Sequence, residues 1–243
     1  MRMRAFAKRN LKELLRDPLT LFFGLGFPMA LLGLMTLIQR NIPVHIFELD
    51  TLAPGMALFG LTFMALFSGL LLAKDRTSAF LARLTASPMT AADFLLGYLL
   101  PMLPMAAGQT AICLGAAVVL GLPPSWNLLA AAASLLPSAL LFIALGLLCG
   151  TLFNDKQVGG MCGALLTNVT AFLAGIWFDL SLIGGPFQTI AYLLPFAHGA
   201  DGAKAALAGD WAALPGHLLW VCAWAAALMV LAAVLFRRRL VER

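Results

Sequence analysis

The sequence predicts an all-α integral membrane protein with six transmembrane helices, an N-terminal interfacial amphipathic helix and a re-entrant helical hairpin between spans five and six. Three observations carry that prediction: an apolar composition, a series of uncharged segments of membrane-crossing length, and a one-sided distribution of basic residues. Of 243 residues, 62% are hydrophobic and 11% charged, whereas soluble domains are roughly 45–50% apolar and about 25% charged. The mean hydropathy is +0.94. This excludes a soluble enzyme and a disordered chain.

A helix needs about 20 apolar residues to cross roughly 30 Å of hydrocarbon. Residues 19–38 and 52–73 carry no charge and supply the first two spans. Residues 94–153 are uncharged throughout, which is two crossings, and the turn between them is placed at 121–127, where Pro123 and Pro124 stop a helix. Residues 157–178 and 215–236 supply the fifth and sixth spans. The run at 19–38 is read as a span and not as a signal peptide.

Between the last two spans, 179–214 is too apolar for an ordinary loop, yet Gly184, Gly185, Pro186 and Pro195 divide it into pieces too short to cross. A re-entrant pair of short helices fits, and an interfacial hairpin is the alternative. The chain reads as a single domain over 1–243. In it, 1–18 is the cytoplasmic interfacial helix, 19–178 holds spans one to five, 179–214 is the outer region, 215–236 is span six and 237–243 is a cytoplasmic tail.

Fourteen of the 16 Lys and Arg fall on one side of this layout, leaving Arg40 and Lys204 on the other. Such asymmetry puts both termini in the cytoplasm. The net charge of +5 therefore reports topology, and no nucleic-acid partner is expected. Trp126, Trp177, Trp211 and Trp220 fall near outer ends of spans, as an interfacial aromatic belt does. The cysteines (Cys113, Cys149, Cys162, Cys222) lie far apart in apolar runs and read as small core residues, with no disulfide frame and no metal site.

Three features are candidates for function. In 5–17, Phe6, Leu11, Leu14 and Leu15 share a helical stripe flanked by Lys8, Arg9, Lys12 and Arg16. Such a helix lies in the inner interface beside anionic headgroups. Asp17-Pro18 then caps and starts the first span.

In 74–90, Phe80, Leu81 and Leu84 lie at helical spacing among Lys74, Asp75, Arg76 and Arg83, ending at Ser87-Pro88. Thr90 and Asp93 form a capping box that opens span three. This is a natural docking helix for a cytoplasmic partner, or a plain solvated loop helix.

The third feature is the polar residues inside spans. Gln109, Thr167, Asn168 and Thr170 are candidates to line a substrate path, or else to bridge helices, as are Thr110, Ser134 and Ser138. No ionisable residue lies deep in any of the six spans, which argues against a proton- or ion-coupled carrier. No phosphate-binding loop, HExxH or GxSxG occurs. His45, His198 and His217 lack a carboxylate at catalytic spacing and read as interfacial. No catalytic residue is assigned.

Two stretches resemble the membrane subunit of an ABC transporter of the type-2 exporter permease family. One is KDRTSAFLARLTASPMTAADFLLGY, residues 74–98, where Arg76, Arg83, Leu84, Ser87, Pro88 and Gly97 match the segment between spans two and three. The family's Gly-Thr and Glu are replaced there by Ala79-Phe80 and Ala82. The other is 163–207, where Gly175, Phe178, Leu182, Pro186, Leu194, Pro195 and Gly202 match a fifth span followed by two short re-entrant helices. Many relatives carry proline where this chain has Asp179.

The resemblance implies two permease chains, identical or homologous, enclosing a path, with two ABC ATPase subunits docked beneath. Arg76, Phe80, Arg83, Leu84 and Pro88 would be the ATPase-coupling residues, with the interfacial helix beside them. The region of Asp179, Gly184, Gly185, Pro186 and Pro195 would form the outer lid. The permease binds no cofactor itself; ATP and Mg belong to the partner ATPase. The expected cargo is amphipathic or lipophilic, drug- or antibiotic-like first and a lipid-linked glycan second, leaving across a bacterial inner membrane.

Overall fold

Two residues, Asp17 and Pro18, divide the N-terminal segment into two helices. The Asp17 carboxylate accepts hydrogen bonds from the Leu19 N–H (3.2 Å) and the Thr20 hydroxyl (2.7 Å), and Pro18 occupies the first helical position, where no N–H is required. Helix α1 (Arg2–Arg16) ends there and α2 (Pro18–Asn41) begins. The structure, a computed structural model, describes residues 2–77 and 91–241.

Further along the chain come α3 (Leu49–Thr77), α4 (Ala91–Leu120), α5 (Asn127–Leu152), α6 (residues 155–173), α7 (Leu180–Ile183), α8 (Gly185–Leu193), α9 (Pro195–Ala208) and α10 (Leu214–Val241). No strand occurs among the described residues.

Prolines and glycines shape these helices in different ways. Pro28 has no N–H, and its ring crowds the carbonyl of Gly24. The turn before it, Phe22–Gly26, winds as a π-helix. In α5, Pro137 lies in the first turn after a one-residue break at Leu135. Helix α6 opens on a reciprocal cap, in which Asn154 and Gln157 each accept the other's backbone N–H. It then carries a second π segment, Gly159–Leu166.

Among the described residues, five helices are long and apolar enough to cross a membrane: Pro18–Asn41, Leu49–Thr77, Asp93–Leu120, Asn127–Leu152 and Leu214–Arg239. The expected fifth span differs from the sequence-based reading. Its helix starts with Asp155, Lys156 and Gln157 and stops at Leu173 instead of reaching Phe178. Gly175, at φ +63°, turns the chain out of the helix.

Helix α3 is the hub: 89% of its apolar window is buried inside the chain, against 17% for α10. Glycines set its contact with α5. A Cβ on Gly150 would stand 2.5 Å from the Gly69 carbonyl oxygen, and one on Gly69 would stand 2.8 Å from that of Gly146. Gly146 and Gly150 form a GxxxG pair that allows the backbones to meet.

Helix α9 uses the same device. Ala197, Gly199, Ala200, Gly202, Ala203 and Ala206 are buried where it wedges among α3, α5 and α10. The cysteines are free, as expected. Cys113 and Cys162 are buried and Cys149 is half-buried, but Cys222 is exposed on α10.

Candidate functional site

Parts of α1, the C-terminal end of α3 and the N-terminal end of α4 meet in a built junction. Phe6, Asn10 and Leu14 recur every four residues and are the buried face of α1. The expected stripe is therefore turned: Asn10 joins it, and Leu15, 51% exposed, does not. Phe6 lies edge-on to Tyr98 at 5.0 Å and to Phe94 at 6.2 Å, and occupies the space that a side chain at position 97 would need. Asn10 donates to the Gly97 carbonyl at 3.0 Å.

Beside this seat the Arg9 guanidinium reaches Asp75 at 2.8 Å and Glu13 at 2.9 Å. Tyr98 donates its hydroxyl to the same Asp75 carboxylate at 2.9 Å. Burial opposes the charge on Arg9, but the Asp75 and Glu13 carboxylates outweigh it and hold the guanidinium above its ordinary value. Lys8, Lys12 and Arg16 are exposed along the open side of α1, in a groove that Arg9 and Glu13 also border. Of the four basic residues predicted for the interface, Arg9 alone turns into the protein.

The next residue, Arg76, points the other way. Its guanidinium donates to the carbonyl oxygens of Gly150 (2.6 Å), Thr151 and Phe153 at the C-terminal end of α5. There it satisfies acceptors that have no intrahelical partner. Adjacent residues thus tie the end of α3 to two different elements. The connector that follows contains Phe80, Arg83, Leu84 and Pro88, which lie outside the described residues, as does the expected cap at Thr90.

Inside the bundle, Gln109, Thr167 and Thr170 are buried, whereas Asn168 is on the outer surface of the chain. Gln109 packs on Gly60, whose missing side chain makes its room, and its amide nitrogen has no hydrogen-bond partner among the described residues. Thr167 donates to the Cys162 carbonyl at 3.0 Å and Asn168 to that of Ala164 at 2.8 Å. Met161, Leu165, Asn168 and Phe172 form one exposed stripe of α6.

At the opposite end, Asp179 caps α7 by accepting the Ser181 N–H at 2.8 Å, which holds its carboxyl below the usual range. Gly184 and Gly185, both at positive φ, break α7 from α8; Pro186 lies in the first turn of α8 and Pro195 starts α9. A cavity of about 560 Å³ opens beside them, lined by Glu48, Phe178, Asp179, Tyr192, Asp201 and Lys204 among others.

Sequence reasoning missed Asn10, Asp75 and Tyr98. One signal was available: Asp75 is the single acid among Lys74, Arg76 and Arg83.

These features define a helical integral membrane protein in which several helices converge on the start of one connector. The family model described as ABC-2 type transporter matches residues 1–207. The chain belongs to that family and is a permease subunit of an ABC transporter, a type of subunit that works with an ABC ATPase. No curated protein matches it.

Proposed function

We propose that this chain is the membrane half of an ATP-driven exporter. It pairs with a second permease chain, identical or homologous, over two ATPase subunits. In this reading α6 is the fifth of six spans despite its short apolar length, both termini are cytoplasmic, and α7, α8 and α9 form a re-entrant outer lid hinged at Gly184 and Gly185. The membrane is a bacterial inner membrane. The cargo is amphipathic or lipophilic, drug- or antibiotic-like first and a lipid-linked glycan second. The chain itself holds no ATP site; ATP and Mg are bound and hydrolysed in the partner.

One observation carries the proposal. Asp75 and Arg76 anchor the last turn of α3 to α1 and to α5, immediately before the connector that carries Phe80, Arg83, Leu84 and Pro88. A push on that connector by an ATPase reaches three membrane helices through two adjacent residues. Such a push biases a two-state element only if contacts differ between the states. The junction supplies polar contacts able to exchange, and the π segments of α2 and α6 flank α3 through Phe67 and Leu66. The exposed α6 stripe around Asn168 supports a path between two chains, and Asn168 is the polar residue best placed to meet cargo there.

The test is co-purification in mild detergent from native membranes. A stoichiometric P-loop ATPase is expected with the wild-type chain and is expected to be lost with Arg83→Glu, a change in the connector, while membrane insertion is unaffected. Recovery of the chain without any ATPase, under conditions that keep other ABC complexes whole, would sink the reading.

A further inference from the structure

At the outer ends of α8, α9 and α10 two histidines face each other. His198 Nδ1 and His217 Nδ1 are 2.9 Å apart, and His198 Nε2 is 3.0 Å from the carbonyl oxygen of Tyr192. A carbonyl only accepts, so His198 Nε2 carries a hydrogen. Neutral His198 therefore presents a bare Nδ1, and His217 Nδ1 must donate to it. One chain of hydrogen bonds thus joins the last turn of α8, the first turn of α9 and the first turn of α10.

The surrounding groups are few. Asp201 accepts from the Tyr192 hydroxyl at 2.8 Å and from Lys204 at 3.2 Å, so its charge is already shared. Burial first, and then Asp201, push the Tyr192 hydroxyl up to about 12, so it remains a donor. Asp201, and from the turn before α10 Asp210, act on His217, and Asp179 acts on Tyr192 from the other side of the cavity. Trp220, one turn along α10, has its ring 5.5 Å from that of His198.

We propose that the His198–His217 pair is an acid-released strap that holds the outer hairpin, α8 and α9, against the last span. A first added proton goes to His217 Nε2, which leaves the Nδ1–H donation intact and strengthens it by charge. A second must go to His198 Nδ1. Two N–H groups then confront each other at hydrogen-bond distance, each on a cationic ring, and the strap opens.

Because the first charge opposes the second, the strap opens only when both rings carry a proton. The inference rests on the hairpin and not on the transport reading, so failure of either leaves the other standing.

Hydrogen–deuterium exchange of residues 185–208 in the full chain, in lipid nanodiscs, tests it. Rates corrected for intrinsic pH dependence are expected to rise about five-fold or more between about pH 8 and pH 5. His217→Gln is expected to abolish that rise, because the amide offers N–H to bare Nδ1 and C=O to the protonated nitrogen.

Subtracting the emission of Trp220→Phe from that of the wild type isolates Trp220. Its quenching by the cationic His198 ring is expected to share the exchange midpoint, and this readout needs no histidine change. A flat wild-type profile, an unchanged rise in His217→Gln, or separate midpoints would each overturn the strap.

Discussion

Asp75 links three helices through one carboxylate. It is 4% exposed and its charge is met by Arg9 and Tyr98 from two other helices. Asp75 is covered while Arg9 still reaches solvent, so removing Arg9 leaves the buried carboxylate without its counter-charge at a cost of about 3 kcal/mol, the low end for buried pairs. Arg9→Met is therefore expected to lower thermal stability in detergent by that order. The double change Arg9→Met with Asp75→Leu is expected to recover most of it, since an apolar pair needs no counter-charge. Tyr98→Phe loses only a hydrogen bond to a charged group, about 1.5–3 kcal/mol. If Arg9→Met unfolds no earlier than Tyr98→Phe, the ion pair does not hold the junction of α1, α3 and α4 together.

At the scale of helices, contact is set by what side chains leave out. Gly146 and Gly150 bring α5 against α3 so closely that any Cβ there meets backbone carbonyls of Ala65 and Gly69. The two helices cannot separate locally, because α3 is enclosed on its other sides by α2, α4, α6 and α9. Gly146→Val is expected to prevent assembly, seen as loss of monodisperse protein after extraction. Gly108→Ala, at a helical site with open space around it, is expected to be neutral or slightly stabilising, as alanine favours helix over glycine by about 1 kcal/mol. Equal behaviour of the two variants would refute close α3–α5 packing.

For the whole molecule, the uneven enclosure of the helices is the main fact. The α3 segment is almost wholly covered, while α2, α6 and α10 present apolar faces that include Leu37, Phe172 and Leu219. Lipid covers such faces without penalty, so their exposure does not define a partner surface. The stripe of α6 differs because Asn168 sits in it. The intact particle, extracted with its ATPase, is expected to contain two chains of 25.8 kDa by light scattering corrected for bound detergent. A particle with one permease chain would exclude a path built between copies.

Composition, apolar run lengths and basic asymmetry determined that this is a helical membrane protein, and the Asp17-Pro18 and Gly184-Gly185-Pro186 steps placed two of its breaks correctly. Those features are legible because capping, proline and glycine act on their own few residues. The length of α6 was misjudged because its stop depends on Gly175 entering the left-handed region, which an apolar count does not register.

Which polar residues matter was decided by the tertiary structure alone. Gln109, Thr167, Asn168 and Thr170 looked alike in sequence, yet packing buries three and leaves one on the surface. Asp75 looked like one solvated charge among several until Arg9, 66 positions away, came within 2.8 Å of it. His198 and His217, read singly as interfacial residues, share one hydrogen bond across a turn. Local backbone chemistry and hydrophobicity are carried by neighbours in the chain. The partner of a buried charge or a shared proton is fixed only when distant segments fold together.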